Sequence, residues 1–379
     1  ARTALVHSPD DPAAYIILSQ AYQALIQQES AILDQGTSAL SYSRLRFMQR
    51  AAALNYAIQT TPPPATSEGK QALAQLHLEL AHFFEAAGYL DLTRDHLRAA
   101  QRLGWPWPPG KDFPTEQVAA LTAELERLED QVERVQNLLR DLETEQQASP
   151  VQLAEEASRR GMPGLAIARL EDAEKLGVSP NQVKWRLVDL YCQTGQPDRS
   201  FDVVNLSNTE DPALLTGPGT AFQRQGLISF LIGDYDNAAL LWERAIFQIR
   251  MAQALESLQA ARQLLAGQPR ASAEQFQGLP NLVSLEASWE ADLGFCLLES
   301  GHPQAAGEHF TRALTLVPQL SIRPLLAYYL QRLGRPVPEA PEAPAPPVAP
   351  SSSSVPSDAS ARPSAPLPKD PAELFAPPG

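Results

Sequence analysis

At 379 residues the chain is long enough for two domains or for one extended array, and with 44% apolar residues it has ample material for a folded core. The 30 Lys plus Arg against 44 Asp plus Glu give a net charge of -14 with no basic run, which argues against a nucleic-acid or anionic-membrane surface. No apolar stretch approaches the length of a membrane span and no signal peptide is visible, so no direct membrane insertion is expected in this segment and the expected location is cytoplasmic.

In chain order, Ala1 to Pro9 reads as the tail of a helix, so the sequence is expected to start inside a structural unit of a longer protein. From Asp11, Tyr15, Leu18, Ser19 and Tyr22 stand at helical spacing, and Leu54, Ala57 and Pro62 belong to the helix that partners them. Residues 24–40 then lengthen this hairpin, with a turn near Gly36. A cleaner helical pair covers Gly69 to Leu103, with Leu80, Ala81, Phe84, Gly88, Leu97 and Ala100 on one pattern. Gly104 to Pro114 is a Pro- and Trp-rich break, where Trp105 and Trp107 read either as a binding surface or as the cap of a packed array.

Thr115 to Gln147 changes character. Val118, Leu121, Leu125, Leu128, Val132, Val135, Leu139 and Leu142 follow four-three spacing, a heptad seam. The short seam favours packing within the chain or a helical arm, and the alternative is a homodimer through Val118 to Leu142. Helical pairs resume over Ser149 to Val178, Pro180 to Asn205 and Thr220 to Gln248. Residues 247–266 continue as helix, and Gly267 to Pro280 reads as a loop or a degenerate unit. Leu320 to Leu333 is expected to be a terminal covering helix. From Gly334 the composition collapses into Pro, Ala and Ser, which cannot bury a core and is expected to stay disordered, with Leu374 and Phe375 as a short apolar cluster near the end.

The most telling stretch is Glu290 to Pro318. Large Leu293, Leu297 and Phe310 alternate with small Gly294, Ala306 and Ala313, while Gly301 suits a left-handed helix end, Pro303 a helix start and Pro318 a stop. The same punctuation recurs with a period: Gly161 and Gly195 are 34 residues apart, and Gly233 and Gly301 twice that. Five residues after each of these glycines comes a small residue (Ala166, Ser200, Ala238, Ala306), and nine after it a larger apolar one (Leu170, Val204, Trp242, Phe310). This pattern resembles the tetratricopeptide repeat, a 34-residue helix-turn-helix unit. One departure is its first aromatic, due at Glu290 and found one place early at Trp289.

The resemblance implies an all-α fold: a right-handed superhelix of stacked helix-turn-helix (TPR-like) repeats with a coiled-coil-like helical insertion and a disordered C-terminal tail. The implied parts are N-terminal repeats over 1–103, a Pro/Trp linker and heptad helix over 104–148, C-terminal repeats with a capping helix over 149–334, and the tail over 335–379. It also implies a concave groove lined by the first helix of each unit, where an extended peptide or partner helix binds. Carried over by position, the groove residues are Ile16, Gln20 and Gln23; Leu78, His82 and Glu85; Val151, Glu155 and Arg159; Trp185, Asp189 and Cys192; Gln223, Leu227 and Phe230; and Ala291, Phe295 and Leu298. Of the Lys, Arg and Asn that relatives use to clamp a C-terminal carboxylate, only Arg159 is present. The mixed apolar and amide groove therefore suits a helix or a hydrophobic peptide better.

No phosphate-binding glycine loop, nucleophile elbow, CxxC pair or HExxH motif occurs. His77 and His82 are five apart, hence on different faces of one helix, which disfavours a zinc pair. The two cysteines, Cys192 and Cys296, fall in predicted helices and read as buried thiols rather than a disulfide. Catalysis, a metal and a cofactor are not expected. The expected function is that of a non-catalytic interaction scaffold with a protein or peptide partner and no nucleic acid. The alternatives are a regulatory or substrate-docking region of a larger enzyme, such as a protein kinase or glycosyltransferase, and a coiled-coil oligomerisation module.

Overall fold

A computed structural model of the chain describes residues 2–33, 40–105, 115–177, 180–205 and 217–339. The turn expected near Gly36, Trp107 and the C-terminal tail with Leu374 and Phe375 lie outside the described residues. Among the described residues all regular structure is helical. The elements are α1 (Arg2–His7), α2 (Pro12–Leu33), α3 (Leu40–Thr60), α4 (Ser67–Ala86), α5 (Leu90–Arg102), α6 (Thr115–Glu145), α7 (Pro150–Arg159), α8 (Pro163–Lys175), α9 (Pro180–Gln193), α10 (Pro197–Asn205), α11 (Thr220–Ile232), α12 (Tyr235–Leu265), α13 (Pro269–Glu299), α14 (Pro303–Leu316) and α15 (Arg323–Arg332).

The helices pair as hairpins: α2 with α3, α4 with α5, α7 with α8, α9 with α10, α11 with α12, and α13 with α14, followed by α15 against α14. Local chemistry explains the pairing. Gly161, Gly195, Gly233 and Gly301 all adopt positive φ, between 71° and 89°, where a side chain would be strained. Three of them are followed two residues on by a proline that opens the next helix: Pro163, Pro197 and Pro303. Within a hairpin, small residues admit large ones: a Cβ on Gly294 would stand 2.5 Å from the fully buried Phe310 ring. These paired helices make a tetratricopeptide-like helix-turn-helix construction.

The insertion does not interrupt the stack. The turn of the α4–α5 hairpin meets the turn of α7–α8 directly, with the Leu90 amide donating to the Gly161 carbonyl at 2.8 Å. A Cβ on Gly161 would lie 2.2 Å from the Gly88 carbonyl oxygen, so the approach requires glycine there. Buried Asp91 ties the same two units: its carboxylate accepts from the amides of Leu92 and of Leu165, near the start of α8, each at 2.8 Å. Burial is the largest influence on Asp91 and outweighs both amides, pushing its pKa up to about 6.

Helix α6 packs on α5 and on α7 instead of standing free. Its Leu125 and Leu128 are buried in a cluster with Ala74, Leu78, Leu97 and Trp105, and its Val132 and Leu139 in one with Leu153, Ala157, Leu170 and Leu187. Trp105 is thus a core residue. From Leu125 onward the heptad seam is spent on the chain's own core.

One region departs from expectation. Where the sequence suggested a loop or degenerate unit over Gly267 to Pro280, the structure has a tight turn at Gly267 between two 31-residue helices, α12 and α13. Pro280 lies inside α13, at a cost of about 3 kcal/mol that the long packing of α13 on α12 offsets.

The array also closes on itself. Helix α3 packs on α9 and α11, and α2 on α15. A Cβ on Gly195 would lie 2.4 Å from the Ala51 backbone, and the Asn55 amide donates to the carbonyls of Thr194 and Gly195, each at 2.9 Å. At the other end Arg46, only 2% exposed, binds Glu29 (3.1 Å), Gln49 (2.9 Å) and Glu299, while the Tyr329 hydroxyl donates to Glu29 at 2.8 Å. Arg2 adds a second cation on Glu299 and lies 4.9 Å from the Tyr235 ring centroid. Each buried charge is met by opposite charge and hydrogen bonds, without which its desolvation would cost several kcal/mol.

Candidate functional site

The first-helix face named by the sequence divides into two parts with different fates. In the C-terminal half, Trp185 and Cys192 of α9, Phe230 of α11, and Ala291 and Phe295 of α13 are buried. They share one core cluster with Leu33, Leu45 and Met48 of the α2–α3 hairpin and with Leu325, Leu326 and Leu330 of α15. Phe295 shows the closure most directly: its ring is 5.5 Å from that of Tyr329 and 5.9 Å from the Arg46 guanidinium carbon. The first-helix side of these units therefore packs against the chain's own first hairpin as well as its last helix. Val151 and Leu298 are half-buried against the cores.

Several polar residues of this face are engaged. Arg224 of α11 grips Asp189 of α9 with two bonds of 2.8 Å, its guanidinium carbon 5.5 Å from the Trp185 ring centroid. Glu155 of α7 pairs with Arg186 of α9, and Arg159 with its neighbour Glu156 at 2.7 Å. Such half-exposed pairs are worth at most about 1 kcal/mol each and exchange readily for a partner's groups. Gln223 and Leu227 are half-buried on α11.

The N-terminal half is more open. Gln20 on α2, His82 and Glu85 on α4 and Arg159 on α7 are exposed, and Ile16, Gln23 and Glu155 are half-buried. Leu78 is the exception, covered by Leu125 and Leu128 of α6. These open residues lie on the first helices of three consecutive hairpins, and all are polar: amide, imidazole, carboxylate and guanidinium. Of the apolar members of the expected groove, Leu78, Trp185, Phe230, Ala291 and Phe295 are buried, and Ile16, Val151, Leu227 and Leu298 are half-buried.

Histidine chemistry is also redistributed. His77 does not face His82; its Nδ1 lies 2.9 Å from Nδ1 of His96 across the α4–α5 hairpin. Burial pushes His96 down to about 3, aided by His77, and burial followed by Arg102 lowers His77, so both rings are neutral near pH 7 and share one proton between the two nitrogens. Among the described residues no three His, Cys, Asp or Glu side chains gather as metal ligands would.

Sequence reasoning missed a second polar centre. Glu290, at the place where the repeat pattern has an aromatic, is fully buried and bonded to His309 (2.6 Å), Arg250 (2.6 Å) and Arg312 (3.3 Å). Burial pushes its pKa up, but His309, Arg312 and Arg250 together hold it below the ordinary carboxylate value. Trp289 takes the aromatic's packing role one position earlier and is buried. The signal was present as a misplaced aromatic, but the three partners lie on α12 and α14 and no local pattern announces them.

No protein-family model matches the chain, and no curated protein matches it. Among solved structures it is similar to the crystal structure of the P58(IPK) TPR domain at 14% identity, over 86% of this chain and 98% of that one. The TM-score is 0.19, so the two do not superpose as whole chains. The helix-turn-helix stack described above stands on this chain's own turns, packing and hydrogen bonds. No described helix is long and apolar enough to cross a membrane.

Proposed function

We propose that this chain is a non-catalytic protein-interaction scaffold that takes a polar extended peptide or helix along the first-helix face of its first three hairpins. The observation that supports this reading is the division of that face: Gln20, His82, Glu85 and Arg159 stay in solvent, while Trp185, Cys192, Phe230, Ala291 and Phe295 toward the C-terminus are buried in one cluster with residues of α2, α3 and α15. A first-helix face that is largely covered at one end and carries exposed polar side chains at the other offers a ligand the open end. Stacked hairpins supply such tracks to extended ligands. The two buried, unbridged cysteines fit a reducing compartment such as the cytoplasm.

The test is affinity capture from native lysate with the 379-residue chain beside the variant Gln20→Ala, His82→Ala, Arg159→Ala. All three side chains are exposed, so the variant should keep its melting temperature. A partner held by the first and lost from the second supports the track. Identical capture by both, with the same partners in the same yield, refutes it.

A further inference from the structure

Helix α12 is apolar on two opposite sides. One side, with Ala238, Leu241, Trp242, Ala245 and Ile249, is buried in the fold. The other carries Leu240, Phe247, Met251, Leu255, Leu258 and Leu265, all in solvent and between 46% and 89% exposed. Helices apolar all round are ordinarily covered all round. With about 200 Å² for each fully exposed large side chain, the outward stripe offers roughly 700 Å², above the usual largest patch of a monomer and close to one half of a stable dimer interface.

We infer that this stripe pairs with the same stripe of a second copy, antiparallel, about a two-fold axis at the level of Ala252 and Gln253. The reason is its symmetry. Reflecting the seam about that point carries Leu240 onto Leu265, Phe247 onto Leu258, and Met251 onto Ala254, which is also exposed. A surface that complements itself under a two-fold rotation is what an isologous dimer requires. The spacing is that of a helix-pairing seam, with Leu240 and Phe247 seven apart, Phe247 and Met251 four, and Met251 and Leu258 seven again. The seam runs along a helix of 31 residues, about 46 Å, so the contact is long as well as apolar. The heptad seam of α6, the alternative pairing surface, is spent on the chain's own core from Leu125 onward. On the rim of the α12 seam, Arg244 comes beside Arg262 of the second copy, a like-charge contact at an exposed edge. Salt screens such repulsion, so this dimer should tighten as ionic strength rises.

Sedimentation equilibrium of the 379-residue chain tests the inference. Twice the 41.3 kDa monomer mass is expected at about 50 μM, a concentration that a Kd in the micromolar range satisfies. Phe247→Glu with Leu258→Glu should weaken association at least about 100-fold, and because both residues are exposed the helical circular dichroism and melting temperature should not change. A wild-type chain that stays at 41.3 kDa, or a double variant as dimeric as wild type, overturns the proposal. Ala254→Cys, beside the axis, should be joined copy to copy by a short bis-maleimide, since Cys192 and Cys296 are buried. Failure of that cross-link, or a dimer weakened by salt, overturns the antiparallel register. Capture of a partner through Gln20, His82 and Arg159 is a separate readout and should survive Phe247→Glu with Leu258→Glu.

Discussion

The packing of the last hairpin is open to a sharp test at Gly294. A Cβ built there would stand 2.5, 2.7 and 3.2 Å from three atoms of the Phe310 ring, the first two closer than real contacts allow. Phe310 has nowhere to retreat: it is fully buried, with the Phe295 ring centroid at 4.7 Å and that of Tyr329 at 6.1 Å. Two effects oppose each other in Gly294→Ala. Replacing glycine in a helix interior gains about 1 kcal/mol, whereas forcing one methyl into a closed site costs about 1–3 kcal/mol. For alanine the net loss should be about 1 kcal/mol. For Gly294→Leu, with three further carbons to place, the overpacking cost dominates and about 3 kcal/mol should be lost. Gly278→Ala, in the same helix, supplies the control. Its nearest neighbour is the end of the flexible Glu256 side chain at 3.3 Å, so the propensity gain should survive and stability should rise by about 0.5–1 kcal/mol. Urea unfolding of the three variants measures all of this. If Gly294→Leu unfolds at the wild-type midpoint, the alternation of small and large residues does not set the approach of α13 to α14.

The closing clasp and the buried acid give two further tests. Arg46→Leu leaves buried Glu29 without a cation and Glu299 with Arg2 alone, and a loss on the order of 3–5 kcal/mol is expected. Hydrogen exchange should rise together in α2, α3 and α15; a rise confined to α3 would show that the clasp does not hold the ends. For Asp91 the sign follows from its raised pKa. Between its ordinary 3.8 and about 6 the folded chain holds a proton that the unfolded chain releases, so the Asp91 contribution to stability falls as pH rises through that window and is level above it. Asp91→Asn removes that dependence. Its stability relative to wild type should improve by on the order of 2–3 kcal/mol between pH 4 and pH 7, and a difference constant across those pH values would contradict the burial argument.

What could be read from the sequence was everything local. Gly161, Gly195, Gly233 and Gly301 marked turns because only glycine sits easily at positive φ, and Pro163, Pro197 and Pro303 marked helix starts because the first turn needs no amide there. The heptad seam of α6 was legible as a seam, and the lengthening of the first hairpin as a late second helix. The places where reading failed have a common cause. Gly267 to Pro280 looked degenerate because a proline inside α13 breaks the local rule, while the long α12 against which it packs compensates. Glu290 looked like a lapse in the pattern because its cations arrive from other helices. The candidate groove was legible as a set of positions but not as a surface: Trp185, Cys192 and Phe230 stand where the period put them, yet inside the core.

That last outcome was decided by tertiary structure alone. Tyr328 meets Gln28 and Tyr329 meets Glu29, residues about 300 positions apart in the chain, and no period of 34 encodes such a meeting. A repeat specifies one hairpin and its fit to the next; the small rotation added at each step then accumulates, and whether distant units touch depends on the sum. The residues by themselves determined that the chain is built from helical hairpins and marked the turns at Gly88, Gly161, Gly195, Gly233 and Gly301. Only the accumulated geometry determined that the array closes, that its first hairpin packs against the first helices of the C-terminal units, and that an apolar face of α12 is left outside.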